Sequence, residues 1–141
     1  MEYLLSVANA FPERLMFNAG TYAITIAEMA QFENDAKALF TEEEYEGLIS
    51  FLAQQPDAGD LIPNTGGIRK LRWAAKGQGK RGGARVIYYF RDLNVPVYLL
   101  AVYAKGEKIN LTEAEKKVMR GMVKRIVQAN LARRLRVIQR A

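Results

Sequence analysis

The chain contains neither cysteine nor histidine. Without cysteine there are no disulfides and no thiolate chemistry, and without histidine the usual proton shuttle of neutral pH is missing. The two absences also leave no donor set suited to zinc, so no metal and no other cofactor is expected. No apolar run approaches the roughly 18–20 residues that span a bilayer. The apolar start, MEYLLSVANAF, has Glu2 in front of it and no basic stretch, so it does not read as a secretory signal. These absences fit a cytoplasmic protein without a membrane partner. Proline is scarce, with four in 141 residues, while half of the chain is apolar or aromatic and 26% is charged. That composition belongs to one folded domain with its own core and argues against disorder.

What the chain has in quantity is positive charge, and it is unevenly spread. Residues 1–65 hold two basic and eleven acidic side chains, a net −9. Residues 66–111 hold ten basic and two acidic, a net +8, and residues 112–141 nine basic and two acidic, a net +7. The stretch GGIRKLRWAAKGQGKRGGARVIYYFRD, 66–92, carries eight Lys or Arg residues before its first carboxylate, Asp92. Solvation alone would scatter cations over the surface. Gathering them on one hairpin implies a polyanionic partner, and RNA is the expectation.

Hydrophobic periodicity gives an element order. TYAITIAE, 21–28, alternates and is rich in β-branched residues, so it predicts a strand. Phe32, Ala36, Leu39 and Phe40 recur at helical spacing. Thr41 and Glu44 form a capping box that opens a second helix, with Tyr45, Leu48, Ile49 and Leu52 inward and an end before Pro56. PDAGDLIPNTGG reads as a loop. Strands are expected at 67–74, 84–91 and 96–104, the last two joined by a turn at 93–96. A second capping box, Thr112 and Glu115, opens a helix whose inward stripe is Val118, Met119, Met122, Val123, Ile126 and Val127. The fold class is α+β: an antiparallel sheet packed by helices in the order β-α-α-β-β-β-α. Residues 1–20 fit this plan least and stand as an N-terminal extension of unknown role, either an extra element or a segment before an alternative start at Met16. The domain proper spans 21–128, and 129–141 is a basic tail.

Alternation along the strands sorts the cations by face. Leu71 and Trp73 share one face with Val86, Tyr88 and Phe90, which are assigned to the core. Lys70, Arg72 and Arg85 then meet on the other face, with Tyr89 beside them. Cations with an aromatic suit phosphates and a stacked base. The loop KGQGKRGG, 76–83, adds four glycines and Lys76, Lys80 and Arg81. It is no Walker A loop, since no G-x-x-x-x-G-K-[ST] occurs, but it suits a basic finger along a nucleic-acid backbone. The alternative is a set of solvated outer positions and a soluble hairpin loop without a binding role.

The segments GGIRKLRWAAKGQGKRGGARVIYYF and VYLLAVYAKGEKINLTEAEKK resemble the RelE/HigB group of type II toxin–antitoxin toxins. The resemblance runs over about residues 21–128 and is carried by the GG-[IL]-R-K-x-R, K-G-x-G-K-R-G-G-x-R-x-I-Y-Y and Y-x-K-x-E patterns. It implies a microbial-ribonuclease-like fold and a metal-independent, ribosome-dependent mRNA endoribonuclease, an mRNA interferase that inhibits translation. It also implies a cognate antitoxin, often one with a helix-turn-helix domain. Position by position, the family's basic residues correspond to Lys70 and Arg72, to Arg85 and to Lys105. The Arg that follows the last of these in the best-known pattern is Gly106 here, and no aromatic occurs after Tyr103. The resemblance therefore leaves the general acid unassigned.

Within that chemistry an Arg stays charged and suits phosphate stabilisation, so Arg72 and Arg85 are expected as clamps and Lys70 as the base for the 2′-OH. Lys105 or Lys108 is expected near the leaving oxygen. Arg69, Lys76, Lys80, Arg81, Tyr89 and Lys108 are expected to contact RNA. The segment ARRLRVIQR either holds ribosomal RNA or is a solvated helix end with favourable dipole charges. Two other readings remain: a non-enzymatic, ParE-like inhibitor of DNA gyrase, and an RNA- or ribosome-binding relative without catalysis.

Overall fold

The structure is a computed structural model, described here for residues 14–17, 24–77, 83–107 and 110–140. Six strands form one sheet in the order β1-β2-β6-β5-β4-β3. The strands are β1 (Arg14–Phe17), β2 (Thr25–Glu28), β3 (Asp60–Leu61), β4 (Ile68–Trp73), β5 (Ala84–Tyr89) and β6 (Val97–Ala104). The helices are α1 (Ala30–Leu39), α2 (Glu42–Gln54) and α3 (Glu113–Arg140). The architecture is α+β, as the periodicities imply. Among the described residues no helix is long and apolar enough to cross a membrane.

Two features depart from the expected plan. The sheet is mixed, because β2 pairs in parallel with β6 while the other neighbours are antiparallel. The chain leaves β2 through α1 and α2 to the far edge at β3 and returns strand by strand through β4 and β5, so β6 enters beside β2 in the same direction, which a long connection permits and a hairpin does not. Two short strands also extend the edges. β1 lies within the N-terminal extension, and β3 is a two-residue strand inside the segment read as loop, paired to Arg69 and Lys70. Residues 21–23 of the expected first strand lie outside the described residues.

The helices divide between the two faces. On one, α1 and α2 cover the sheet. Trp73 donates its indole N–H to the Glu44 carbonyl at 2.8 Å, and its ring meets Phe51 at 5.3 Å between centroids. The Thr41/Glu44 capping box is present in both directions, at 3.2 and 2.9 Å, and fixes where α2 starts. Phe32, Ala36, Leu48 and Leu52 are fully buried beneath these helices. On the other face lies α3, opened by the Thr112/Glu115 box. Its stripe of Met119, Met122, Val123 and Ile126 is buried, with Val118 and Val127 half-buried. Asn130 ends this contact, donating to the Tyr98 hydroxyl at 3.0 Å and the Ile126 carbonyl at 2.8 Å. Each large side chain buried in this way contributes about 1.5–3 kcal/mol. The helix does not stop there: it runs unbroken to Arg140, through the segment assigned to a tail.

Candidate functional site

The site begins with the register of β4 on β5. Lys70 lies opposite Ile87, Arg72 opposite Arg85, and Ile68 opposite Tyr89. Residues directly opposite in an antiparallel pair point to the same face, so Ile68, Lys70, Arg72, Arg85, Ile87 and Tyr89 share one. This is the face that α3 covers, but α3 covers only part of it. Ile68, Ile87 and Tyr89 are buried, whereas Lys70 and Arg85 are half-buried and Arg72 is exposed. Among the described residues, three cations thus stand on an end of the sheet face that no helix covers, while its other end is core.

The next strand adds a residue that the pattern did not reveal. β6 continues the row by setting Tyr103 opposite Arg85. A bulge makes this pairing, because the register shifts by one residue between Ile87 and Tyr88, where Leu100 is the additional residue on β6. Without it Arg85 would face Val102, and Tyr103 would point to the α1/α2 side. A bulge that re-aims a side chain in this way is a known use of the device. Burial pushes the Tyr103 phenol above its usual value of 10, opposed by the nearby Arg85 and reinforced by Glu115 in the first turn of α3. The phenol therefore carries its proton throughout the neutral range. Arg85 is its direct cross-strand neighbour, about 5 Å away between Cα atoms, and Arg72 stands one strand further along the same row.

Lys105 follows two residues after Tyr103, just past the end of β6. Its backbone N–H donates to the Gly83 carbonyl at 2.9 Å, so it is held at the mouth of the β4–β5 loop, with its side chain exposed. Gly106 behind it has φ +98°, a conformation that disfavours side chains and accounts locally for the glycine where the family pattern has Arg. Arg72, Arg85 and Tyr103 thus form one cross-strand row, with Lys70 flanking it on β4 and Lys105 just past the end of β6.

The remaining expected contacts are dispersed. Arg69 lies on the opposite face and donates to the carbonyls of Asp57 at 2.9 Å and Gly59 at 2.8 Å, holding the loop before β3. Its guanidinium is committed to backbone and does not join the row. Tyr89 is on the cation face but only 3% exposed, with its ring against Gly67 under α3. It offers no ring face for a base, because the helix covers the half of the sheet on which it stands. Lys76 is exposed at the loop's start, where its N–H donates to the Glu44 carboxylate at 2.7 Å. Lys80, Arg81 and Lys108 lie outside the described residues.

Electrostatics follow the same division. Glu42, Glu43 and Glu44 open α2 on one side of the sheet, and the cation row occupies the other. The N-terminus of α3, with Glu115 beside Tyr103, borders that row and adds the positive end of a helix dipole. Permanent guanidinium charge, a Lys and a protonated phenol on one open surface can bind a phosphate, stabilise added charge on it and exchange protons next to it.

A comparison with protein families matches residues 57–140 to the RelE toxin of the RelE / RelB toxin–antitoxin system. The matched range contains β3, β4, β5, β6 and α3, and with them Lys70, Arg72, Arg85, Tyr103 and Lys105. It spans more than half of the chain, and the chain belongs to the RelE toxin family of toxin–antitoxin systems.

Proposed function

We propose that this toxin is a ribosome-dependent mRNA endoribonuclease that uses the Lys70, Arg72, Arg85, Tyr103 and Lys105 surface and no metal. The observation that carries the reading is the cross-strand row Arg72–Arg85–Tyr103 on an uncovered sheet end. A gyrase inhibitor that works by binding has no need of such a phosphate-sized row.

The reaction is an internal transfer. The 2′-oxygen of one nucleotide attacks the adjacent phosphorus, the bond from phosphorus to the 5′-oxygen breaks, and a 2′,3′-cyclic phosphate and a 5′-hydroxyl result. Lys70 Nζ, as the neutral amine, takes the 2′-OH proton and becomes an ammonium. Arg72 and Arg85 hold the non-bridging oxygens, where negative charge accumulates in the phosphorane, and cost little reorganisation because strand pairing holds their backbones. Tyr103, kept protonated by its half-buried position, gives its proton to the 5′-oxygen. Lys105 binds the phosphate on the leaving side. Tyr103 fills the general-acid role that the C-terminal helix leaves open, since no aromatic follows it. Much of the rate in such a site is positioning, which explains a requirement for mRNA held on the ribosome. In the cell a cognate antitoxin, with a helix-turn-helix domain of its own, silences the toxin, and both work in the cytoplasm.

The test is primer extension on an mRNA translated in a reconstituted system, wild type beside Arg85→Ala. Ribosome-dependent cuts that vanish in the variant support the reading. Translation that stalls without cuts identifies a ribosome binder that has lost its chemistry. Undisturbed translation, with inhibition in a supercoiling assay, identifies a gyrase inhibitor.

A further inference from the structure

Between them β3, β4, β5 and β6 carry one acidic residue, Asp60, and the register sets it on the cation face. It lies opposite Lys70, about 5 Å away between Cα atoms, and Arg72 follows about 7 Å beyond Lys70 along β4. β3 is the last strand of the sheet, so Asp60 borders the site at its edge. It is exposed, and among the described residues no hydrogen bond or ion pair occupies its carboxylate. Its backbone is nonetheless fixed. The N–H of Gly59 donates to the Tyr88 hydroxyl at 2.8 Å, and the Gly59 carbonyl accepts from Arg69 at 2.8 Å. A Cβ at Gly59 would lie 2.8 Å from the Tyr88 ring, so the chain is seated closely there. Arg69, absent from the cation row, thus holds the strand that brings a carboxylate to it.

We propose that Asp60 is a specificity-determining residue that selects guanine in the nucleotide immediately 5′ of the cut. The proposal rests on the nuclease reading and deepens it. The residues of that reaction give the RNA a direction across the sheet. Tyr103 on β6 faces the leaving 5′-oxygen and Lys70 on β4 the attacking 2′-OH, so the nucleotide that supplies the 2′-OH lies toward β3. A carboxylate repels phosphate and only accepts hydrogen bonds, so its RNA partner at that edge is a donor. In a single strand the Watson–Crick edge of a base is open to it. Guanine presents two adjacent N–H donors on that edge, matched to the two carboxylate oxygens. Adenine and cytosine each present one amino group beside a ring nitrogen that accepts. Uracil presents one N–H between two carbonyls, which repel a carboxylate. Guanine is therefore preferred most and uracil least.

The test is primer extension on a panel of mRNAs that differ only in the nucleotide 5′ of the cut. They are translated in a reconstituted system and cleaved under single-turnover conditions by wild type, Asp60→Asn and Asp60→Ala. Wild type is expected to cut after guanine at least about tenfold faster than after uracil, the scale of a bidentate base contact. Asp60→Ala flattens that preference to within about twofold. Asp60→Asn, which offers one donor beside one acceptor, moves the preference from guanine toward adenine and cytosine. A guanine preference that persists in both variants would assign the choice to the ribosome and overturn the proposal. Cutting that changes by the same factor after every nucleotide would overturn it too, since Asp60 would then act through its charge on the phosphate or on Lys70. Wild-type cuts without a guanine preference would sink the proposal and leave the nuclease reading standing. No cuts after any nucleotide would sink both.

Discussion

Tyr103 stands in the cation row because β6 has one residue more than β5 needs, and this makes its role testable apart from the charges around it. Tyr103→Phe keeps the ring, its burial and the strand, and removes only the hydroxyl. Cleavage should fall by about 10²–10⁴-fold, the range of a general acid, while ribosome affinity stays within about twofold. An equal loss of affinity and cleavage in single-turnover kinetics would assign the phenol to binding instead. The opposition of Arg72 and Arg85 was legible in the sequence, since alternation on both strands sorts them to one side. Tyr103 was not legible, because counting back through the 93–96 turn sets Val102 opposite Arg85 and only the bulge corrects it. Tyr89 shows the complementary limit: alternation assigns a face but does not tell which half of it a helix covers. Glu44 makes a second residue-scale case. Backbone N–H groups of Thr41, then of Lys76, hold its carboxyl below the ordinary value of 4.5, with Gly77 adding to the effect. A carboxyl depressed in the folded state contributes fully above that ordinary value, and the contribution is lost as pH falls through the lowered one. Hydrogen exchange at the Lys76 amide, taken relative to its intrinsic rate at each pH, should therefore rise on acidification below about pH 4.5. Glu44→Ala should raise it at neutral pH by up to about fivefold, the ceiling for an exposed contact. Thr41→Ala, which removes the cap but not the loop contact, should leave that amide protected.

Among the elements, the β4–β5 pair sets the spacing of the site's two cationic strands, and Gly83, just before β5, packs its backbone against the end of β4. A Cβ there would lie 2.3 Å from the Trp73 carbonyl oxygen and 2.8 Å from the Ala75 nitrogen. Both are backbone atoms, so the strands themselves must part. Gly83→Ala should cost about 1–3 kcal/mol, read as a lower urea midpoint with an unchanged slope. Because the Gly83 carbonyl also receives the Lys105 N–H, the same change should lower cleavage in the surviving folded fraction. The helices were the legible elements: both capping boxes form at the positions their Thr and Glu residues indicate, and the stripe from Met119 to Ile126 is buried as its period requires. The short strands were not, because two residues such as Asp60 and Leu61, both exposed, carry no alternation. Strand direction was hidden for another reason. The parallel β2–β6 pair follows because the two-helix crossover lands at the far edge and three antiparallel steps bring the chain back to β2, and no residue in either strand records that.

For the whole molecule, the acidic start of α2 and the cation row lie on opposite faces of the sheet, although Asp60 stands opposite Lys70 on the row's own face. Glu42 and Glu43 are exposed at the start of α2, on the side away from Lys70, Arg72 and Arg85. An RNA backbone approaching the cation row therefore meets attraction on one side of the protein and repulsion on the other, and the field orients the encounter before contact. Orientation and contact separate experimentally through salt. Each phosphate neutralised on a single strand contributes about −0.7 to the slope of log K against log salt. Arg72→Gln, which removes an exposed member of the row, should flatten that slope for a single-stranded RNA by about 0.7. Arg91→Gln should leave it unchanged, because Arg91 lies beyond β5 with Asp92 at 3.8 Å. If both variants flatten the slope equally, the RNA senses only net charge and the row is not its site. If only Arg72 does, the register of β4 on β5 is what the polyanion reads.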